Sequence, residues 1–388
     1  MERKRYEDQN PWISFGFKVQ MDTLWALLGE AYSKTQHLVG TPLPPGFARE
    51  LASVYLRRGA LASTAIEGNT LSLDELNKIM DEGHKLPPSQ EYLEREVANV
   101  LSALDVVCKT AEPGAFLLSP EWIMRQNATI LDGLDVDDHV EPGEYTTKQL
   151  VVGAYRAAPP QDVPYLVDRL CRWLNEEYIS RANAPGTPED QRFYLAFLAA
   201  ALGHLYVAWI HPFGDGNGRT ARILQAAVLA NSGVVPWVSV NLLSDFYNRT
   251  RTRYYRALAD ASERGDVAGF IRYSAQGYVD QLREQIEETQ RFQRRIAWQS
   301  YVHEVMRAET SGKAKDRRRE LVLAMPEEPI PRKDIPSLSK ELYAAYADTE
   351  RTLSRDLARL LKLELVRAEG RGGWAANTRV MDAFMPGM

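Results

Sequence analysis

Twelve residues in this chain, His211-Pro212-Phe213-Gly214-Asp215-Gly216-Asn217-Gly218-Arg219-Thr220-Ala221-Arg222, place an imidazole, a carboxylate, an amide, two guanidinium groups and three glycines in one stretch. Folding alone does not require that density. Gly216 and Gly218 let backbone amides turn inward as an anion nest, and a helix starting there adds its positive end, which together make a phosphate cradle. Arg219 and Arg222 are three residues apart and project from one side of that helix toward the same anion. Asp215 can supply an oxygen to a magnesium ion bridging phosphates, because that ion takes few carboxylates alongside phosphate oxygens. His211 carries the side chain whose ordinary pKa suits a general base near neutrality. From the residues alone, this is a nucleotide-phosphate site with a base beside it.

The same string resembles the signature of the Fic (filamentation induced by cAMP) family, His-Pro-Phe-x-Asp/Glu-Gly-Asn-Gly-Arg-x-x-Arg, at every specified position. The resemblance implies transfer of AMP from ATP to a protein hydroxyl, with release of pyrophosphate. It makes His211 the base that deprotonates a Tyr, Thr or Ser hydroxyl of the target and Asp215 the Mg2+ ligand. Asn217, with the backbone of Gly216 and Gly218, would hold the phosphates, and Arg219 and Arg222 would bind the β and γ phosphates. Phe213 would be a buried anchor for the loop. A phosphate-transferring branch of the family has Lys where this chain has Gly218, which favours AMP transfer. His204 has no metal-ligand spacing to His211 and is expected to be a core or supporting residue.

Three other segments are similar to elements of that family. The stretch Val151 to Arg156 looks like its flap, a small hairpin that aligns the target as an added strand, although Gly143-Glu144-Tyr145-Thr146 lacks the Arg that often follows a Gly-x-Tyr element there. Arg251-Thr252-Arg253-Tyr254-Tyr255 resembles an element lining the adenine pocket, with Tyr254 and Tyr255 as aromatic faces; a core role for one of the tyrosines is the competing expectation. Ser63-Thr64-Ala65-Ile66-Glu67-Gly68 resembles the inhibitory motif Ser/Thr-x-x-x-Glu-Gly/Asn, which makes Ser63, Glu67 and Gly68 an intramolecular brake. A charge-assisted bond from Arg222 to Glu67 would withhold that guanidinium from the γ-phosphate and leave ATP misaligned for attack.

Helices must position these groups. Pro44 and Pro45 precede a helical stretch from Phe47 to Ile66, Ser72 to Glu75 spells a capping box, and helical patterns cover Tyr92 to Thr110, Pro120 to Leu131, Val163 to Tyr178 and Phe270 to about Met306. Phe193 to Ile210 is apolar enough for a membrane check. Its alanine content and its direct passage into the polar motif instead predict a helix buried on all sides within a bundle. The charged run Ser311 to Arg319 is expected to be a linker into a C-terminal unit of helix, turn, helix and Gly-rich hairpin. There Arg351, Arg355, Arg359 and Lys362 form one helical face, with Leu353, Leu357, Leu360 and Leu361 opposite, similar to the recognition helix and wing of winged-helix proteins. The expected fold is mainly α: a Fic-type helical bundle with a β-hairpin flap, plus a C-terminal winged-helix-like α+β domain. The expected divisions are an N-terminal helical region 1–110 with the inhibitory helix, a catalytic core 111–311 and a C-terminal domain 312–388.

The 388 residues allow two or three domains, and 45% hydrophobic with 26% charged residues excludes a mostly disordered or collagen-like chain. A net charge of −5 argues against a protein coated in positive charge for nucleic acid. Two cysteines, Cys108 and Cys171, exclude a disulfide framework and a structural zinc site. The basic start, Met1 to Asp8, is followed by no apolar core, so no export signal is expected and the cytoplasm is the expected location. The expectation is a self-inhibited protein adenylyltransferase using ATP and Mg2+, with a hydroxyl-bearing target protein and the chain itself as substrates. The alternatives are an enzyme that also removes AMP, and a nucleotide-sensing DNA-binding regulator. Family behaviour implies a homodimer, the C-terminal unit could meet DNA or protein, and no membrane partner is expected.

Overall fold

The computed structural model describes residues 13–18, 23–153, 155–346, 350–370 and 372–382. The start Met1 to Asp8, Ala154 in the expected hairpin and Arg371 in the Gly-rich tip lie outside the described residues. Local chemistry sets many helix ends. After α1 (Thr23–Val39), α2 (Pro45–Ile66) begins with proline at its first position, where a missing N–H costs nothing. In α3 (Leu73–Glu82) the Ser72 hydroxyl accepts from Glu75 N and the Glu75 carboxylate accepts from Ser72 N, and Gly83 closes the helix in the left-handed conformation. α4 (Glu91–Thr110) follows, then α5 (Pro120–Leu131), capped by the Ser119 hydroxyl.

The two strands β1 (Val151–Val152) and β2 (Tyr155–Arg156) pair antiparallel, Val151 opposite Arg156 and Val152 opposite Tyr155. α6 (Val163–Leu174) runs into a π-helical turn, Asn175–Ile179. At the centre lies α7 (Glu189–Ile210), packed along α8 (Asn217–Asn231). α7 is long and apolar enough to cross a membrane, yet 83% of its apolar window is buried inside the fold, with Phe193, Phe197, Leu202 and Leu205 all inaccessible. The packing of neighbouring helices accounts for its composition. α9 (Leu242–Arg249) lies against α2, and α10 (Arg251–Arg264) and α11 (Val267–Arg307) follow.

The chain divides into two compact units, Met1–Ile286 and Glu287–Met388. The division falls within α11, so residues 1–110 share a unit with the loop at His211, and the expected boundary near Gly312 lies inside the second unit. The charged run is also not a linker: α12 (Lys313–Ala324) contains most of it. Arg317 and Arg318 both donate to the buried carboxylate of Asp356 at 2.7 Å, and that pairing uses the charge a solvated linker would have left exposed. The rest of the second unit comprises β3 (Ile330–Pro331), α13 (Lys340–Tyr346), α14 (Glu350–Lys362), β4 (Val366–Glu369) and β5 (Gly373–Ala376), the strands forming an antiparallel sheet in the order β3-β5-β4. Leu353, Leu357 and Leu360 enter its core together with Asp356, and Leu361 is exposed, so the inward face of α14 runs through 353, 356, 357 and 360. Arg359 is tied to Glu309, so the basic face is narrower than its spacing implied.

Candidate active site

The loop between α7 and α8 is held in a fixed shape. α7 ends at His211, whose φ of 52° is left-handed and uncommon for a residue with a side chain. Gly216, at φ 78°, makes the second left-handed turn and leads into α8. Asn217, expected to hold phosphate, turns its side chain inward instead: Oδ1 accepts from Phe213 N at 2.9 Å and Nδ2 donates to Phe213 O at 2.6 Å. This closes the loop on itself, with Phe213 fully buried as its anchor. What remains for an anion is the first turn of α8, which has no side-chain cap.

A second clamp comes from α5. Asn127, fully buried, donates to Asp215 O at 2.9 Å and Thr220 Oγ1 at 3.3 Å and accepts from Gly143 N at 2.9 Å. Tyr145 pairs with Phe213 through an isolated antiparallel bridge, and Thr146 N donates to Pro212 O at 2.8 Å. The segment leading to the hairpin is thereby bound to the loop.

The His211 ring sits with Nδ1 3.3 Å from Ala208 O. A carbonyl can only accept, so Nδ1 carries the proton and Nε2 is left as the basic nitrogen. Burial pushes the imidazole pKa below the ordinary 6.5; the Ala208 carbonyl and the carboxylates of Glu67 and Asp215 partly oppose this. The neutral, proton-accepting form is therefore favoured at neutral pH.

The two arginines are buried and each meets a carboxylate. Arg222, 2% exposed, donates from Nε to Ser63 Oγ and from Nη2 to Ser63 O, both at 2.8 Å, and from Nη2 to Glu67 Oε1 at 2.7 Å. The structure thus brings Ser63 and Glu67, at the end of α2, onto Arg222 through a single carboxylate oxygen. Gly68 continues the turn at φ 110°. Arg219 donates from Nη2 to both Asp215 oxygens at 3.1 Å and from Nη1 to Glu96 Oε1 at 3.1 Å. Two donors nonetheless remain buried without a partner, Arg219 Nε and Arg222 Nη1. Arg222 Nη1 lies 3.1 Å from where a Cβ on Gly218 would stand, so this donor faces the cradle. Unpaired buried guanidinium N–H groups beside an uncapped helix start fit an incoming phosphate. Asp215 is half exposed, as a carboxylate shared with a phosphate-bound cation would need to be. No cluster of three or more His, Cys, Asp or Glu residues suited to a metal occurs among the described residues. The site therefore fits a cation that arrives with phosphate oxygens better than one caged by protein.

The aromatic expectations separate. Tyr254 is buried, its ring stacked on Tyr247 and its hydroxyl 2.8 Å from His204 Nε2, so it is a core residue under the site. Tyr255 is 44% exposed and donates to Ile66 O at 3.4 Å, beside the turn that carries Glu67. His204 is fully buried between Tyr254 and Gln225, and burial, reinforced by the Arg222 charge, pushes its pKa down to about 3. Glu96 and Asn127 were missed in the sequence, and Asn69 reads there only, with Gly68, as a helix stop. Glu96 and Asn127 sit in helices whose patterns look like ordinary faces, and neither carries a local marker of its partners.

Residues 117–229 match the family model described as Fic/DOC family. Over 225 residues the chain is 30% identical to the protein adenylyltransferase Fic of Drosophila erecta, which covers 55% of this chain and 38% of that protein. Over 214 residues it is 30% identical to the protein adenylyltransferase fic-1 of Caenorhabditis elegans, with the same two shares. The chain thus spans well under half the length of the curated relatives it matches. Among solved structures, a Fic family protein from Desulfovibrio desulfuricans covers 93% of this chain and 97% of its own at a TM-score of 0.56 and 20% identity, a likeness of fold. The signature loop, closed by Asn217 and flanked by both arginines, lies within the residues that match the Fic/DOC family model, and this part of the chain is similar to Fic domains.

Proposed function

We propose that this protein is a self-inhibited protein adenylyltransferase that transfers AMP from ATP to a hydroxyl side chain of a protein, itself included. The observation that carries this reading is the convergence of an unprotonated His211 Nε2, an uncapped α8 and two unpaired arginine donors on one loop. In the reaction, His211 Nε2 takes the hydroxyl proton as the oxygen attacks the α-phosphorus. The bond from that phosphorus to the oxygen bridging to the β-phosphate breaks, and pyrophosphate leaves. The α8 amides and the guanidinium groups of Arg219 and Arg222 hold the β and γ phosphates and orient the α-phosphorus. Asp215 is the residue that would bind Mg2+, which when present neutralises phosphate charge. The exposed Val151 and Val152 of the hairpin offer the strand edge along which a target backbone would align.

The Glu67 contact supports the self-inhibition. While Arg222 Nε and Nη2 are held by Ser63 and Glu67, only Nη1 is left to meet a phosphate, and ATP would bind without the alignment that a fully engaged guanidinium gives. The three-part division at 110 and 311 is kept as a functional one: inhibitory helix, catalytic core and a winged-helix-like module that presents targets. We place the enzyme in the cytoplasm. Incubation with α-labelled ATP tests the reading. Glu67→Gly should label protein far more than the unaltered chain, and adding His211→Ala should abolish the gain. Equal labelling with and without Glu67 would remove the brake, and labelling that survives His211→Ala would remove the base.

A further inference from the structure

The brake attributed to Glu67 accounts for one arginine only. Its neighbour in the cradle, Arg219, is also held by a carboxylate from the N-terminal helices, Glu96 on α4, 123 residues away in sequence and 3.1 Å away in space. The two carboxylates are tied together. Asn69, two residues after Glu67, donates from Nδ2 to Glu96 Oε2 at 2.8 Å and to Leu93 O at 2.9 Å, while its Oδ1 accepts from Leu71 N at 2.9 Å. Asn69 N also donates to Thr64 O at 3.2 Å, closing the turn that carries Glu67. Asn69 is buried, so these bonds hold away from competing water.

We propose that Glu96 is a second, electrostatic restraint on the phosphate cradle: it holds Arg219, couples that hold through Asn69 to the Glu67 turn, and competes with the β and γ phosphates of a nucleoside triphosphate for the same guanidinium. This rests on the adenylyltransferase reading of the site. The chemistry follows from the donor count. Arg219 divides its terminal nitrogens between Asp215 and Glu96, leaving only Nε unpaired. A phosphate that engages Arg219 fully must displace one carboxylate, and Asp215 belongs to the loop whereas Glu96 does not. Glu96 acts through Arg219, and is therefore a positioning residue.

The test compares Glu67→Gly with Glu67→Gly/Glu96→Gln, a pair that keeps the shape at position 96 and removes its charge. Dissociation constants for ATP and for AMP are measured by calorimetry, KM and kcat for ATP by labelling, and folding by thermal melting. Restraint by Glu96 predicts that the Glu96→Gln change tightens ATP binding and lowers the ATP KM by about three- to tenfold. AMP, with no β or γ phosphate, should bind unchanged, and kcat should move little. A purely structural role would lower the melting temperature and weaken both nucleotides together, and that result overturns the proposal, as does an ATP affinity unchanged by Glu96→Gln. Should Glu67→Gly bind ATP but label nothing, the calorimetric comparison still decides the role of Glu96 while the transferase reading fails. Absence of ATP binding in every variant overturns both. Glu96→Ala with retained melting temperature provides the same comparison if Glu96→Gln keeps a hydrogen bond to Arg219.

Discussion

At the scale of single residues, the site works by leaving some groups unsatisfied and satisfying others completely. Asn217 spends its amide on Phe213, while Arg222 Nη1 and Arg219 Nε stay unpaired and ready for a ligand. His211 is tuned the same way, since burial disfavours its charged form. A base with a lowered pKa stays neutral as pH falls through 6.5 and is lost only at lower pH. The kcat/KM of Glu67→Gly, followed by labelling between pH 5 and 8, should therefore hold its plateau at pH 6.5 and fall below it. An acidic limb centred above 6.5 would contradict the burial of His211. Most of these residues were readable in advance, because a dense polar string has few structural explanations. Asn217 was readable in type but not in role: its side chain and the loop amides lie in the same few residues, and spacing cannot tell which of them faces the anion.

At the scale of elements, loop and helices are joined by buried polar staples. Asn127 is the clearest, reaching from α5 to the loop at Asp215, to α8 at Thr220 and to Gly143 before the hairpin. Asn127→Ala should leave the Gly143 N–H buried without a partner and cost about 1–3 kcal/mol. The check is the denaturant midpoint, together with reduced labelling in a Glu67→Gly background as the loop loosens. A stability change within error and full labelling would show that Phe213 and Asn217 suffice. Helix limits were largely legible, since Ser72, Gly83 and Pro45 act locally through caps and fixed φ, while the Ser119 cap was not read. Lys313 to Arg319 was not, because the run is helical by virtue of Asp356, a partner almost forty residues downstream. Glu96 escaped notice for the same reason, since only the fold brings α4 against Arg219.

At the scale of the whole molecule, each unit keeps one group of charges inside. In Glu287–Met388, Asp356 is buried and receives Arg317, Arg318 and the Tyr346 hydroxyl. Removing that carboxylate takes Arg317 from its ion-pair partner and leaves Arg318 with Glu309 alone, so Asp356→Ala should destabilise this unit by about 1–3 kcal/mol. Hydrogen exchange of the α12 and α14 amides would register the loss, and unchanged protection there would refute it. In Met1–Ile286 the buried arginines lie in the candidate site, and one contact there has a wider consequence. A Cβ on Gly218 would stand 2.3 Å from Glu67 Oε1, so a side chain there would require the Glu67 carboxylate to shift from its present position beside Arg222. Glycine and alanine codons differ by one base, as do those of glutamate and glycine. On the proposed reading, a single base change at either codon would therefore alter the restraint, directly at position 67 and by crowding both Glu67 and Arg222 at position 218.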